Sequence, residues 1–164
     1  MNKIRGFERV SFQQWDKDNE IVPESKDVWE SIKLPKRATS RSAGYDIYSP
    51  VDFVLQPSWE IKIPLGWKVY MQADELFTII PRSGLGFKYY LRLANTTGLI
   101  DSDYFNNPGN EGHSWIKLRN EGSVDVSIKA GEGIAQGIFQ KYLLADEDDF
   151  VGEGRVGGFG STSK

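Results

Sequence analysis

The chain has 164 residues, 39% hydrophobic and 26% charged, with 17 glycines and 7 prolines, which suits one self-sufficient domain of short strands and turns. A net charge of −3 argues against a dedicated nucleic-acid binder, and the absence of cysteine removes disulfides, thiolate metal sites and thiol nucleophiles together. No apolar run approaches the roughly 20 residues of a membrane span and Met1-Asn2-Lys3-Ile4 opens no signal peptide, so a soluble, cytoplasmic protein without membrane contact is expected.

In chain order, residues 3–12 read as a first strand through Ile4, Phe7, Val10 and Phe12. Residues 13–33 read as a weakly patterned extra segment. Within it Asp27–Ile32 could form one or two helical turns capped by Asp27, or the whole could be a surface excursion. Strand signals then recur at Tyr45–Tyr48, Val51–Leu55, Glu60–Pro64, Trp67–Met71, Leu76–Ile80, Tyr90–Ala94, Ser114–Arg119, Val124–Ile128 and Ile134–Tyr142, with Gly/Pro/Asn turns between them. Many short strands without a long amphipathic helix predict an all-β barrel or sandwich. The domain is expected to span 1–150. Residues 151–164, rich in glycine with almost nothing to bury, are expected to form a flexible tail.

Five stretches carry chemistry. Ser42–Tyr48 places Asp46 in an apolar strand start, where pairing with an arginine and a role near a metal are comparable readings. Pro81–Lys88 reads as an anion cradle in which Arg82, Ser83 and Lys88 alternate with Gly84 and Gly86. Asn95–Tyr104 flanks Gly98 with a carboxamide, Asn95, and a carboxylate, Asp101, which a hairpin could fold into one pocket. Gly133–Gln136 sets a carboxamide in an apolar strand. The tail sets Arg155, Phe159, Ser161 and Thr162 among glycines. A G-x-G-x-x-G match at 152–157 has no room for the helix and second strand of a dinucleotide fold. His113 is the only histidine and falls in a Gly/Asn-rich loop, so it is expected to be solvated, and no histidine-based zinc site or Ser-His-Asp triad is expected.

Taken together, SAGYDIYS, PRSGLGFK, NTTGLIDSDY, GIAQ and RVGGFGST, in that order over residues 34–164, resemble the trimeric dUTPase family. The resemblance implies a jelly-roll-like β-barrel homotrimer with active sites between subunits, hydrolysing dUTP to dUMP and pyrophosphate with Mg²⁺. It implies Asp101 as the catalytic base, Asn95 as the uracil reader beside Gly98 and Ile100, and Tyr104 beneath the deoxyribose. Ser83 and Gly84 would meet the phosphates and Gln136 an α-phosphate oxygen, with Asp46 and Arg82 paired behind them. Mg²⁺ would sit on the triphosphate with no direct protein ligand, Asp46 holding at most one of its waters. In the tail, Phe159 would cover the uracil, while Arg155, Gly160, Ser161 and Thr162 would complete the site as a lid over it.

The chain departs from the family pattern in three places. Gly133 stands where many members carry an arginine, residues 105–112 replace a short turn, and residues 13–33 look like an insertion of the kind seen in phage and Gram-positive bacterial relatives. Two alternatives share the fold. One is a dCTP deaminase-like enzyme, disfavoured by the intact Asn95, Asp101 and Tyr104 unit. The other is a regulator that binds a protein partner, the expectation to test if the chain is phage-derived.

Overall fold

A computed structural model describes residues 3–150 and Gly152. The chain opens with β1 (Gly6–Arg9), α1 (Phe12–Asp18) and α2 (Lys26–Ser31), followed by β2 (Lys36–Arg37), β3 (Tyr45–Tyr48), β4 (Phe53–Leu55), β5 (Glu60–Pro64) and β6 (Trp67–Tyr70). It continues with β7 (Glu75–Pro81), α3 (Ser83–Tyr89), β8 (Leu91–Leu93) and β9 (Gly98–Asp101), and a 3₁₀ turn at Ser102–Tyr104. The last strands are β10 (Trp115–Asn120), β11 (Val126–Ile128) and β12 (Gly133–Lys141). Among these residues no helix is long and apolar enough to cross a membrane.

All strand pairs are antiparallel. A five-stranded sheet in the order β2-β3-β12-β7-β9 is accompanied by β5-β10-β8 and the pairs β1-β6 and β11-β4. The alternation read from sequence is visible in β7, where Phe77 and Ile79 face inward and Leu76 and Thr78 do not. One core joins Ile47, Ile63, Trp67, Phe77, Leu118 and Ile134 across the sheets. The expected all-β, jelly-roll-like barrel is the fold observed.

Three local expectations are corrected. The first strand stops at Arg9, because Ser11 caps α1: its Oγ accepts the Gln14 N–H at 3.1 Å. Ser11-x-x-Gln14 is a capping-box spacing, a signal present in the sequence. Residues 13–33 are therefore no surface excursion. Trp15 and Ile32 are buried in the main core, and the Trp29 Nε1–H donates to Val10 O at 3.0 Å. The second helix begins after Ser25 rather than at an Asp27 cap.

The third correction concerns the anion cradle Pro81–Lys88, whose backbone from Ser83 onward is helical (α3, Ser83–Tyr89) rather than flexible. Arg82 takes an extended conformation, the chain then turns helical, and Tyr90 closes the helix in the left-handed region at φ 55°, its N–H donating to Gly86 O and Leu85 O. Leu85 and Tyr89, four residues apart, pack one helical face on the core. That burial outweighs the cost of Gly84 and Gly86 inside α3.

Candidate active site

Strand register gathers the first group of residues. Gln136 on β12 lies opposite Asp46 on β3 and opposite Ile80 on β7, while Ala135 faces Pro81. Arg82, just beyond Pro81, thus emerges beside both side chains. Its Nε lies 3.3 Å from Asp46 Oδ1, and its Nη1–H donates to Gly133 O at 3.1 Å. Gln136 Nε2–H donates to Pro81 O at 3.2 Å, which fixes its carboxamide.

The glycines around this cluster leave room for its side chains. A Cβ on Gly133 would overlap Arg82 Nη1, and one on Gly44 would lie 2.7 Å from Gln136 Oε1. A side chain at position 133 would meet the Arg82 guanidinium, which lies beside that backbone. Arg82, Ser83, Gly84 and Lys88 line a cavity of about 710 Å³, faced from the other side by Asp125, Ser127 and Glu132. Among the described residues no side chain caps α3, whose first turn of N–H groups follows Arg82.

The second group sits on the edge of the five-stranded sheet. β9 pairs with β7 so that Gly98 faces Ile79 and Asp101 faces Leu76. A tight turn at Asn95–Thr97, with Thr96 at φ 65°, returns the chain from β8. Asn95, Gly98 and Ile100 line a largely apolar cavity of about 400 Å³. A Cβ on Gly98 would lie 3.4 Å from Ile79 Cβ and 3.9 Å from Asn95 Nδ2, so glycine keeps this wall thin. Sequence motifs missed Lys62 on β5 and Trp115 on β10, which also line it; Lys62 Nζ lies 4.1 Å from the Trp115 ring centroid. Their distance along the chain from Asn95 left no local signal.

Asp101 ends β9 exposed to solvent, at the start of the 3₁₀ turn. Tyr104, three residues on, is buried at 2% exposure. Its hydroxyl donates to His113 O at 3.0 Å and accepts from Asn110 Nδ2 at 2.7 Å.

The expectation of a solvated His113 is overturned: the ring is fully buried, with Nδ1 2.7 Å from Asp18 Oδ2 and Nε2 2.9 Å from Gly66 N. Burial works against the Asp18 charge, but hydrogen bonds from His113 and Gln14 outweigh it and hold that carboxyl below the usual range.

The site residues expected from the sequence thus fall into two groups. Arg82 and Ser83 line one cavity and Asn95, Gly98 and Ile100 another, with no lining residue in common, while Asp46, Gln136 and Asp101 line neither of the two. Arg155, Phe159, Gly160, Ser161 and Thr162 lie outside the described residues. Among the described residues no group of three or more His, Asp or Glu side chains is placed to hold a metal.

Comparison with known proteins gives these two groups a context. The family model described as dUTPase matches residues 30–162. A deoxyuridine 5′-triphosphate nucleotidohydrolase of Lactococcus lactis is 44% identical over 162 residues, covering 98% of both chains. One from Neisseria gonorrhoeae is 39% identical over 137 residues, 79% of this chain and 87% of its own. Among solved structures, a dUTPase from Streptococcus mutans aligns with a TM-score of 0.68 at 35% identity, over 86% of this chain and 98% of its own. A dUTPase from phage phi11 of Staphylococcus aureus, described with a structural Mg(II) ion, aligns with a TM-score of 0.62 at 18% identity, over 90% and 100%, a likeness of fold.

Proposed function

Because the chain belongs to the dUTPase family, enzymes that hydrolyse deoxyuridine 5′-triphosphate, we propose that it forms a homotrimer whose active sites each join the two half-sites from neighbouring subunits. The observation that carries this reading is the separation of the Asn95 cavity from the Ser83 cradle on one chain. Large apolar side chains left in solvent, among them Phe87 at 87% and Leu143 at 96% exposure, supply surface for subunit contacts.

In this reading uracil enters the Asn95 cavity. The carboxamide offers a donor and an acceptor to the O4/N3 edge, with the neighbouring backbone fixing its orientation. The Tyr104 hydroxyl is already engaged by His113 and Asn110, so the ring contributes shape beneath the deoxyribose rather than a hydrogen bond, and excludes a 2′-hydroxyl sterically. Ser83 and the first-turn N–H groups of α3 face the phosphates, while Gln136 reaches an α-phosphate oxygen.

Asp101 accepts a proton from the water that attacks the α-phosphorus. The bond to the bridging oxygen breaks, and pyrophosphate leaves with its electron pair. Asp46 pairs with Arg82 and so suits holding a water rather than serving as a direct metal ligand. Mg²⁺ on the triphosphate would supply charge neutralisation, in keeping with its preference for phosphate and water oxygens. In the tail, Phe159 is assigned to cover the base, and Arg155, Gly160, Ser161 and Thr162 to reach the terminal phosphate, excluding bulk water.

The test is pyrophosphate release from dUTP, with dTTP, dCTP and UTP as controls. Ammonia release from dCTP with dUTP left intact would instead favour the deaminase alternative. Asp101→Asn and Gln136→Ala should each abolish most turnover, yet co-refolding the two should restore part of it, since mixed trimers contain sites with both residues intact. Failure of that complementation would place both half-sites in one subunit.

A further inference from the structure

Two of the departures from the family pattern, 13–33 and 105–112, border on a set of contacts between α1 and the loop that follows Tyr104. At one end of α1, Ser11 Oγ–H donates to Glu111 Oε1 at 2.6 Å, and Ser11 N–H to Glu111 Oε2 at 3.0 Å. The same Ser11 hydroxyl caps the helix. At the other end, Asp18 receives the Gln14 Nε2–H at 2.6 Å and faces His113 Nδ1 at 2.7 Å. Loop 105–113 therefore grips both ends of α1.

The tautomer of His113 follows from its second contact. Gly66 N–H can only donate, so Nε2 must accept, and the ring proton must lie on Nδ1, directed at the Asp18 carboxylate. The ring has no rotational freedom left: Asp18 and Gly66 fix its two nitrogens, and Trp15 and Trp115 flank it with centroids at 6.2 and 5.4 Å. The backbone carbonyl of this same residue receives the Tyr104 hydroxyl.

A continuous chain thus runs from α1 to the motif that carries Asp101: Asp18 carboxylate, His113 ring, His113 carbonyl, Tyr104 hydroxyl. Loop 105–112 holds Tyr104 by side chains rather than by regular structure: Asn110 Nδ2–H donates to its hydroxyl at 2.7 Å and Asn107 Nδ2–H to its carbonyl oxygen at 3.0 Å. Asn106 and Glu111 sit at φ 57° and 58°, and Gly112 passes so close to Tyr104 that a Cβ there would lie 2.5 Å from its carbonyl oxygen.

We propose that Asp18 and His113 are positioning residues: through the Nδ1–H tautomer they fix the Tyr104 ring, and with it the fit of the sugar and the aim of Asp101. This rests on the assignment of Tyr104 as the sugar wall. Asp18 lies at the helix end with a side chain 17% exposed and is not itself part of the apolar core.

The experiment compares wild type, Asp18→Ala and Asp18→Asn for kcat and KM on dUTP and UTP, with imidazole ¹⁵N NMR of the sole histidine. Wild type should show the Nδ1–H tautomer. Asp18→Ala should lose about tenfold to a hundredfold of the dUTP-over-UTP preference in kcat/KM, a loss of the size expected from a misplaced contact group. Asp18→Asn, whose amide oxygen still accepts from Nδ1–H, should retain most of the preference. An Nε2–H tautomer in wild type, or an Asp18→Ala enzyme with undiminished preference, overturns the proposal while leaving dUTP hydrolysis standing. Wild type that discriminates poorly between dUTP and UTP would instead remove the sugar-wall assignment beneath it.

Discussion

Replacing Gly133 by alanine adds one methyl group at a position whose backbone is not in the left-handed region, so any effect is steric. That methyl would overlap Arg82 Nη1 and stand 2.9 Å from Cζ. The guanidinium is the far end of a flexible side chain and will swing away, giving up its bond to Gly133 O and its approach to Asp46. A hydrogen bond from a charged donor contributes about 1.5 kcal/mol at the low end of its range, which suits a half-exposed arginine. A partly exposed ion pair adds about 0.5 kcal/mol. The sum, about 2 kcal/mol, corresponds to roughly thirtyfold in kcat/KM if it falls entirely on turnover. If it falls entirely on folding, the melting temperature should drop by roughly 4–8 °C for a domain of this size. Pyrophosphate release and thermal unfolding of the same preparation separate the two. A Gly133→Ala enzyme indistinguishable from wild type in both would refute the claim that glycine is there to admit Arg82.

Gly66 sits at φ 72° where a Cβ would overlap Ile32 Cδ1 and lie 3.2 Å from Trp15 Cε3. Gly66→Ala should therefore cost about 2–4 kcal/mol from backbone strain plus overpacking, measured by denaturant unfolding. Burial works against the Glu111 charge, but hydrogen bonds from Ser11 and the nearby Lys68 outweigh it and hold the carboxyl below its ordinary value. Its contribution to stability is then present above that value and lost as pH falls through the folded one. Glu111→Gln should accordingly be less stable than wild type near neutrality and converge with it in acid; a stability difference independent of pH would argue against the carboxylate as the clamp on α1.

Most of the barrel was legible because its strands alternate and its turns are punctuated by Gly, Pro and Asn. Tyr45–Tyr48 and Glu60–Pro64 were read with the bounds observed. β9 was hidden inside a stretch read for its chemistry, Asn95 to Tyr104. α3 was hidden by its glycines, which local propensity counts against a helix, whereas Leu85 and Tyr89 secure it by packing on residues far away in sequence. The residue types of the site were legible for a similar reason: Asp46, Arg82 and Gln136 lie in recognisable motifs, and strand register then brings them together. His113 was misread because its partners, Asp18 and Gly66, lie 95 and 47 residues away. Polarity of the neighbouring sequence says little about burial when the partners come from elsewhere. Lys62 and Trp115 escaped notice on the same ground.

The proposed sharing of each active site between subunits has a consequence for how this enzyme would behave when scarce. Each chain closes its own core around Trp67 and Phe77, yet in the assigned trimer no chain alone holds a working centre. Folding and competence are then set by different equilibria: the first is unimolecular, the second follows mass action. On dilution below the assembly constant, a population could lose its catalysis while its circular dichroism stayed unchanged. Abundance in the cell, rather than integrity of the single chain, would then decide how much dUTP is cleared.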